Sequence, residues 1–339
     1  MNPVDALREI GFLLERDRSD THRVKAYRRA AEVVAEMSAD DRARHTDSDD
    51  WKKLPGIGPK TSLVISQASA GGVPDYLQQL RAAKRPLTSR GDRLRSLIRG
   101  DLHTHSTWSD GGSPLEEMMS TARDLGHEYC AITDHSPRLT VARGLTADRL
   151  RQQQAAARDL NAAMAPFRVL QGIEVDILDD GRLDQDDALL AELDIVVASV
   201  HSKLRSDSET MTHRMVAAIA NPRTNVLGHC TGRLIEGARG IRPESSFDAE
   251  VVFEACRTME VAVEINSRPE RRDPPTRLLR LAMEMGCLFS IDTDAHAPGQ
   301  LEFLAYGCER AEDLGLEADR VINTWPVDRL LDWATARST

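Results

Sequence analysis

Apolar residues near the start of the chain recur at helical spacing, whereas later ones gather in short β-branched runs. One stripe runs over residues 4–14. A second carries Val24, Tyr27, Ala30, Ala31 and Val34 between about His22 and Met37, so two amphipathic helices are predicted. The polar, acidic stretch 38–50 reads as a loop. Leu54-Pro55-Gly56-Ile57-Gly58-Pro59-Lys60 follows, and helical spacing resumes to about Ser69. Further on, seven runs predict strands at 101–103, 129–133, 169–173, 195–200, 225–228, 262–265 and 288–291. Helical signals lie between them. The clearest is Ser113-Pro114-Leu115-Glu116, a capping serine with proline at the first helical position and a capping-box glutamate, closing at Gly126. Repeated β/α units imply a parallel sheet, either a barrel or doubly wound.

Length and composition narrow this picture. The 339 residues suit one barrel-sized domain plus a small one, with 41% hydrophobic residues for a core and 29% charged residues. No apolar run is long enough to span a bilayer, and the first residues lack a secretory h-region, so a cytoplasmic protein is expected. Five scattered cysteines without a CxxC pair predict buried thiols, with neither a disulfide framework nor a thiolate zinc site. The net charge of −10 is uneven. Residues 1–99 hold 19 basic and 14 acidic side chains, the remainder 25 and 40. A basic head on an acidic body suits a phosphate grip attached to a metal-loading domain.

The two glycines of LPGIGPK predict a tight turn between helices that leaves backbone N–H groups at the start of the second helix, where its dipole favours an anion. This is the helix-hairpin-helix pattern, which grips DNA phosphates without reading sequence. The plainer alternative is a glycine-capped helical turn. Gly56, Gly58, Lys25, Arg28, Arg29 and Lys60 are the candidate DNA contacts. Through VKAYRRAAEVV and LPGIGPKTS, residues 5–80 resemble the small N-terminal domain of family X DNA polymerases. Some members of that family carry a Schiff-base lysine for abasic-site lyase chemistry. Val64 stands at that position here, so no lyase activity is expected.

The chemistry gathers at the C-terminal ends of the predicted strands. In order these carry His103 and His105, His135, Glu174, His201, His229, Asn266, then Asp294 and His296, with Asp110 on the first loop. In a β/α barrel this rim builds the active site. His103 and His105 are two residues apart and so leave one face of a strand, as do Asp294 and His296. A single histidine would be read as a core or surface residue. Six at strand ends, with three carboxylates, indicate a metal centre. His22, His45, His127 and His213 lie on helices or loops and are read as structural.

Through DLHTHSTWSDG, ITDHS, GIEVDI, SVHS, LGHCTGR, EINSRP and DTDAH, residues 99–335 resemble the polymerase and histidinol phosphatase (PHP) domain. The resemblance implies an α/β fold, a distorted seven-stranded barrel, here preceded by a small all-α domain. The boundaries expected are 1–82 for the helical domain, 83–98 for a basic linker and 99–339 for the barrel. It further implies up to three divalent ions: one held by His103, His105, Glu174 and Asp294, one by Glu174, His201 and His229, and one by Asp110, His135 and His296. Imidazole and carboxylate ligands suit Zn²⁺, Mn²⁺ or Fe²⁺. GRLI, NSRPERRDPP and ARGLTADRL resemble the version of the domain attached to bacterial family X polymerases, but only some 15–20 residues separate the two domains here, with no palm or fingers between them, so no DNA synthesis is expected.

Arg233, Arg268 and Lys203 are candidate cations for transition-state charge, each with a surface ion pair as the alternative. Asp134 is expected to support a ligand, and Asp176 and Asp292 to support ligands or face solvent, rather than be ligands. The leading expectation is a DNA phosphodiesterase, a 3′→5′ exonuclease or a 3′-end or abasic-site processing enzyme. The alternatives are a small-molecule phosphomonoesterase, such as a histidinol-phosphate or nucleotide phosphatase, and a DNA-binding scaffold with a non-catalytic metal site.

Overall fold

Polar caps set the starts of the N-terminal helices. Asn2 caps α1 (Pro3–Arg16), Asp20 caps α2 (Thr21–Glu36), and Ser38 caps α3 (Ala39–Ser48) by accepting the Asp41 N–H. The third is a correction to the loop expected at 38–50. It buries no side chain, so it has no apolar stripe to betray it, and it is set by its cap and by Asp40 and Asp41 in its first turn. The unit closes with α4 (Pro59–Ser69) and α5 (Asp75–Ala83). Leu7, Ile10, Leu14, Tyr27, Val34, Trp51, Ile65 and Leu77 form its core, and Val64 is buried among them.

The computed structural model describes residues 1–237 and 240–336, and divides them between Pro86 and Leu87 into two units. Residues 87–98, expected as linker, belong to the second. A short helix, α6 (Asp92–Arg95), buries Leu94 in the barrel's main core, and the Leu94 N–H is accepted by Glu312 at 2.7 Å.

Seven parallel strands follow in sequential order: β1 (Gly100–Asp101), β2 (Tyr129–Ile132), β3 (Arg168–Asp176), β4 (Ile195–Ser199), β5 (Val226–Leu227), β6 (Ala262–Asn266) and β7 (Phe289–Asp292). The crossovers carry α7 (Leu115–Asp124), α8 (Ala147–Met164), α9 (Asp187–Leu190), α10 (Ser208–Ala220), α11 (Ala249–Thr258) and α12 (Thr276–Glu284); α13 (Leu304–Asp313) and α14 (Val327–Ala336) follow β7. The capping box expected at Ser113 does not form. Helix α7 begins at Leu115 with Pro114 as its cap, and the Ser113 carbonyl instead accepts the Thr107 N–H.

Strand alternation sorts the side chains. Ile173, Val175, Val196, Ala198, Val263 and Ile265 pack in the main core, while Leu170, Ile195, Val197, Val226 and Ala262 join Trp325 and Leu330 in a separate cluster at the other strand face. On that same face Glu174 follows Leu170 by four residues, and Glu264 and Asn266 follow Ala262 by two and four. The ring is nearly closed. Among the described residues, β7 and β1 meet not through a ladder but through one bridge beyond their ends, Thr104 with Ala295. Side chains complete the seam: Asp292 accepts the Leu102 N–H at 2.9 Å, and Asn323 donates to Asp292 and to the Gly100 carbonyl.

All five cysteines are buried, and no described helix is long and apolar enough to cross a membrane. His127 is buried too, with Nε2 3.5 Å from the Arg95 guanidinium. Burial, then Arg95, pushes its pKa down to about 3. The folded value lies below the unfolded one of about 6.5, so the stability that neutral His127 confers is complete above that value. It is lost as pH falls toward 3, at about 1.4 kcal/mol per unit. His127→Gln is expected to flatten the acid limb, which urea titrations at pH 7.5 and 4.5 would measure as a smaller loss than in the wild type.

Candidate metal centre

The loop after β1 is shaped to present Asp110. Gly111 lies so close to Ser106 that a Cβ there would come within 2.6 Å of its backbone, and both Ser109 and Gly111 donate N–H to the Ser106 carbonyl. Beneath it, buried Asp134 accepts from the Ser106 N–H (2.9 Å) and hydroxyl (2.7 Å), from Ser109 and from Gln153 (2.5 Å). Asp134 thus ties the Asp110 loop to β2 and α8. Asp134→Asn would set an amide against two hydroxyl or N–H donors. We expect it to weaken metal retention about 10- to 100-fold with little change in fold, checked by competition with a chelating dye.

Glu174 is the hub. One carboxylate oxygen faces His135 Nδ1 (2.9 Å), His103 Nε2 (3.3 Å) and His105 Nε2 (3.5 Å); the other faces His229 Nε2 (2.8 Å) and His201 Nε2 (3.2 Å). Asp294 Oδ1 lies 3.4 Å from His105 Nε2, and Asp110 Oδ1 lies 3.4 Å from His296 Nε2 and 3.5 Å from His135 Nε2. All nine residues expected from the strand ends therefore meet in one place. Asp294 adopts φ +51°, the left-handed region that non-glycine residues enter rarely and often at functional sites.

The donor atoms fit divalent ions. Both ring nitrogens of His105 and of His201, and Nε2 of His103, are buried without a hydrogen-bond partner. Leaving so many buried polar atoms unsatisfied is costly unless something else binds them. Three groups bring ligand atoms within 4.8 Å of one another: His103, His105 and Asp294; His135, Glu174 and His201; His105, Asp110, His135 and His296. The electrostatics agree. Burial, then the neighbouring His296 and His135, lowers His105 to about 3, which leaves one ring nitrogen with a lone pair free for an ion. Burial opposes ionisation of Glu174, but the imidazoles of His103, His201 and His135 outweigh it and hold the carboxyl well below its usual range.

Residues 2–73 match the helix-hairpin-helix domain, and residues 101–268 match the PHP domain. The chain is a PHP-domain protein with an N-terminal helix-hairpin-helix domain. It is 39% identical over 256 residues, 74% of its own length, to the DNA polymerase/3′-5′ exonuclease PolX of Bacillus subtilis, and spans 44% of that relative. A probable phosphatase of Thermoanaerobacter sp. is 27% identical over 235 residues, 66% of this chain and 89% of that one. Histidinol phosphate phosphatase from Lactococcus lactis, crystallised with zinc, L-histidinol and phosphate, aligns with a TM-score of 0.46 at 18% identity, over 65% of this chain and 95% of that one.

The candidate cations of the PHP domain separate. Arg268 reaches the cluster: its guanidinium donates to the Asp294 carbonyl at 3.1 Å and lies 3.0 Å from His296 Nδ1. Arg233 departs from expectation, because its guanidinium is spent on the carbonyls of Arg271 and Arg272 and on Glu244. Lys203 departs likewise: it pairs with Asp179 at 2.5 Å on an exposed surface. Arg271, absent from the expected set, is buried and donates to Asp294 Oδ2 at 3.0 Å, where Asn266 also donates at 3.2 Å. Together they hold one Asp294 oxygen and leave the other toward His105. Arg271 sits in a loop, where no periodicity marks a buried position. Asp176 supports His201 by accepting its N–H at 3.1 Å, while Asp292 belongs to the barrel seam.

In the helix-hairpin-helix domain, Gly56 turns at φ +90°, and a Cβ there would come within 3.0 Å of Arg29 Cγ. Lys60 is exposed in the first turn of α4, and Lys25 is exposed on α2. Arg29 pairs with Glu32 at 3.2 Å on the surface. Arg28 is a correction, since its guanidinium folds onto buried Glu15. The Gly58 N–H, expected to be open to an anion, is taken by Thr61 Oγ1 at 2.9 Å.

Proposed function

We propose that this protein is a metal-dependent phosphoesterase that acts on DNA, removing or processing nucleotides at 3′ ends or abasic sites. The observation that carries the reading is the convergence of nine ligand-type side chains with Glu174 at their centre, joined in one chain to a helix-hairpin-helix domain. The cluster suits up to three ions of Zn²⁺, Mn²⁺ or Fe²⁺. Bound divalent ions would supply a water ionised near neutral pH and a clamp on the attacking and leaving oxygens.

The chain's own groups do the rest. Glu174 and Asp294 set the negative charge that concentrates cations. His105 stays neutral, and Arg268 at the His296 edge offers fixed positive charge to a phosphoryl oxygen. Gly56, Lys25, Arg29 and Lys60 would hold the DNA backbone, raising the local concentration of phosphodiester without selecting a sequence. Similarity to PolX over the shared 256 residues supports a DNA substrate; similarity to the probable phosphatase supports hydrolysis of a phosphate ester.

The test compares hydrolysis of 3′-recessed duplex DNA with that of histidinol phosphate, each with Mn²⁺. DNA is expected to be the better substrate. A Lys25→Glu, Lys60→Glu double variant should raise KM for DNA several-fold and flatten its salt dependence, with histidinol phosphate turnover unchanged. Turnover confined to histidinol phosphate would replace this reading with the small-molecule one.

A further inference from the structure

Each ligand histidine has two ring nitrogens, and something must decide which one faces the ion. For His103 that partner is a carboxylate from a different strand. Glu264 lies in the middle of β6, two residues before Asn266 and on the same strand face, and it is fully buried. One of its oxygens lies 2.6 Å from His103 Nδ1, and the other accepts the His229 backbone N–H together with the Asn266 amide at 3.3 Å. His103 Nε2, on the far side of the ring, faces Glu174 at 3.3 Å without a hydrogen bond.

We propose that Glu264 is a positioning residue that keeps the proton of His103 on Nδ1, presents Nε2 to a metal ion, and anchors the main chain that carries His229. This rests on the metal reading above. Filling space gives no reason for a charge here, since an apolar side chain of similar size would fill the barrel without the desolvation cost of a carboxylate. A carboxylate behind a ligand imidazole fixes its tautomer and orientation and raises its basicity. Through its two oxygens Glu264 reaches two histidines whose Nε2 atoms face opposite oxygens of Glu174, so one side chain sets the approach of both.

The experiment uses the full chain, stripped of metal and titrated with Zn²⁺ against a chromophoric chelator, as wild type and as Glu264→Gln. Glutamine keeps the size but removes the charge, and one end of its amide must donate where an acceptor is needed. The variant is expected to keep its circular dichroism and to bind at least one ion about 10- to 100-fold more weakly. Equal affinity at every site would overturn the proposal. Should the variant fail to fold, histidine-selective ¹⁵N spectra of zinc-loaded wild type decide: a proton retained on His103 Nδ1 supports the proposal, and metal on Nδ1 overturns it. Wild type that takes up no zinc would instead sink the metal reading itself.

Discussion

Glu174→Gln is expected to lower phosphoester hydrolysis at least about a thousandfold while leaving the fold intact. The glutamate is buried, and its two oxygens together face five imidazoles at 2.8–3.5 Å. Glutamine fills the same volume. It is neutral, however, and must turn an NH₂ toward ring nitrogens whose lone pairs are needed for ions. A Lewis-acid centre contributes several kcal/mol of transition-state stabilisation, and each 1.36 kcal/mol is a factor of ten. Losing an ion or its placement therefore costs about three orders of magnitude or more. Steady-state rates and elemental analysis of the same sample would check it. A variant that keeps a tenth of the activity with a full metal complement would mean that Glu174 is not the hub.

Removing the ions should be felt as strongly in stability as in rate. A ligand that binds only the folded chain stabilises it by about 4 kcal/mol at a thousandfold excess over its dissociation constant. For a unit of this size that corresponds to a melting shift of about 10 °C. Exhaustive chelation is expected to abolish hydrolysis and lower the melting temperature by about that amount, with both restored by Mn²⁺ or Zn²⁺. The affinity should also depend on pH. Burial lowers the His201 pKa, but Glu174 and Asp176 more than reverse this and push it up to about 9 in the metal-free site. Below that pH an ion must displace a proton, so apparent affinity rises as pH increases toward 9. Calorimetry between pH 6 and 9 would measure the slope; a flat profile would remove His201 from the binding set.

Much of this was legible in the chain because the strands announce themselves twice, by β-branched runs and by a ligand-type or polar residue at each C-terminal end. Spacing of two placed His103 beside His105 on one face, and that is where they lie. The residues that escaped notice are those whose position depends on tertiary packing. Glu264 alternates with Asn266 on β6, but an acid inside a barrel looks from sequence like one facing solvent. Arg271 sits in an irregular loop and is buried where Asp294 receives it. Helix α3 carries no apolar stripe. Arg28, Arg233 and Lys203 were legible as cations but not as already partnered, since their acids or carbonyls lie 11 to 39 residues away.

The seam between β1 and β7 would give bound ions a second task. His103 and His105 extend one border of that gap, and Asp294 and His296 extend the other. A cation gripped by His105 and Asp294 would fasten the two borders like a rivet through a hoop whose joint was never welded. Loading the centre would then tighten a joint that the Thr104–Ala295 bridge, Asp292 and Asn323 already hold.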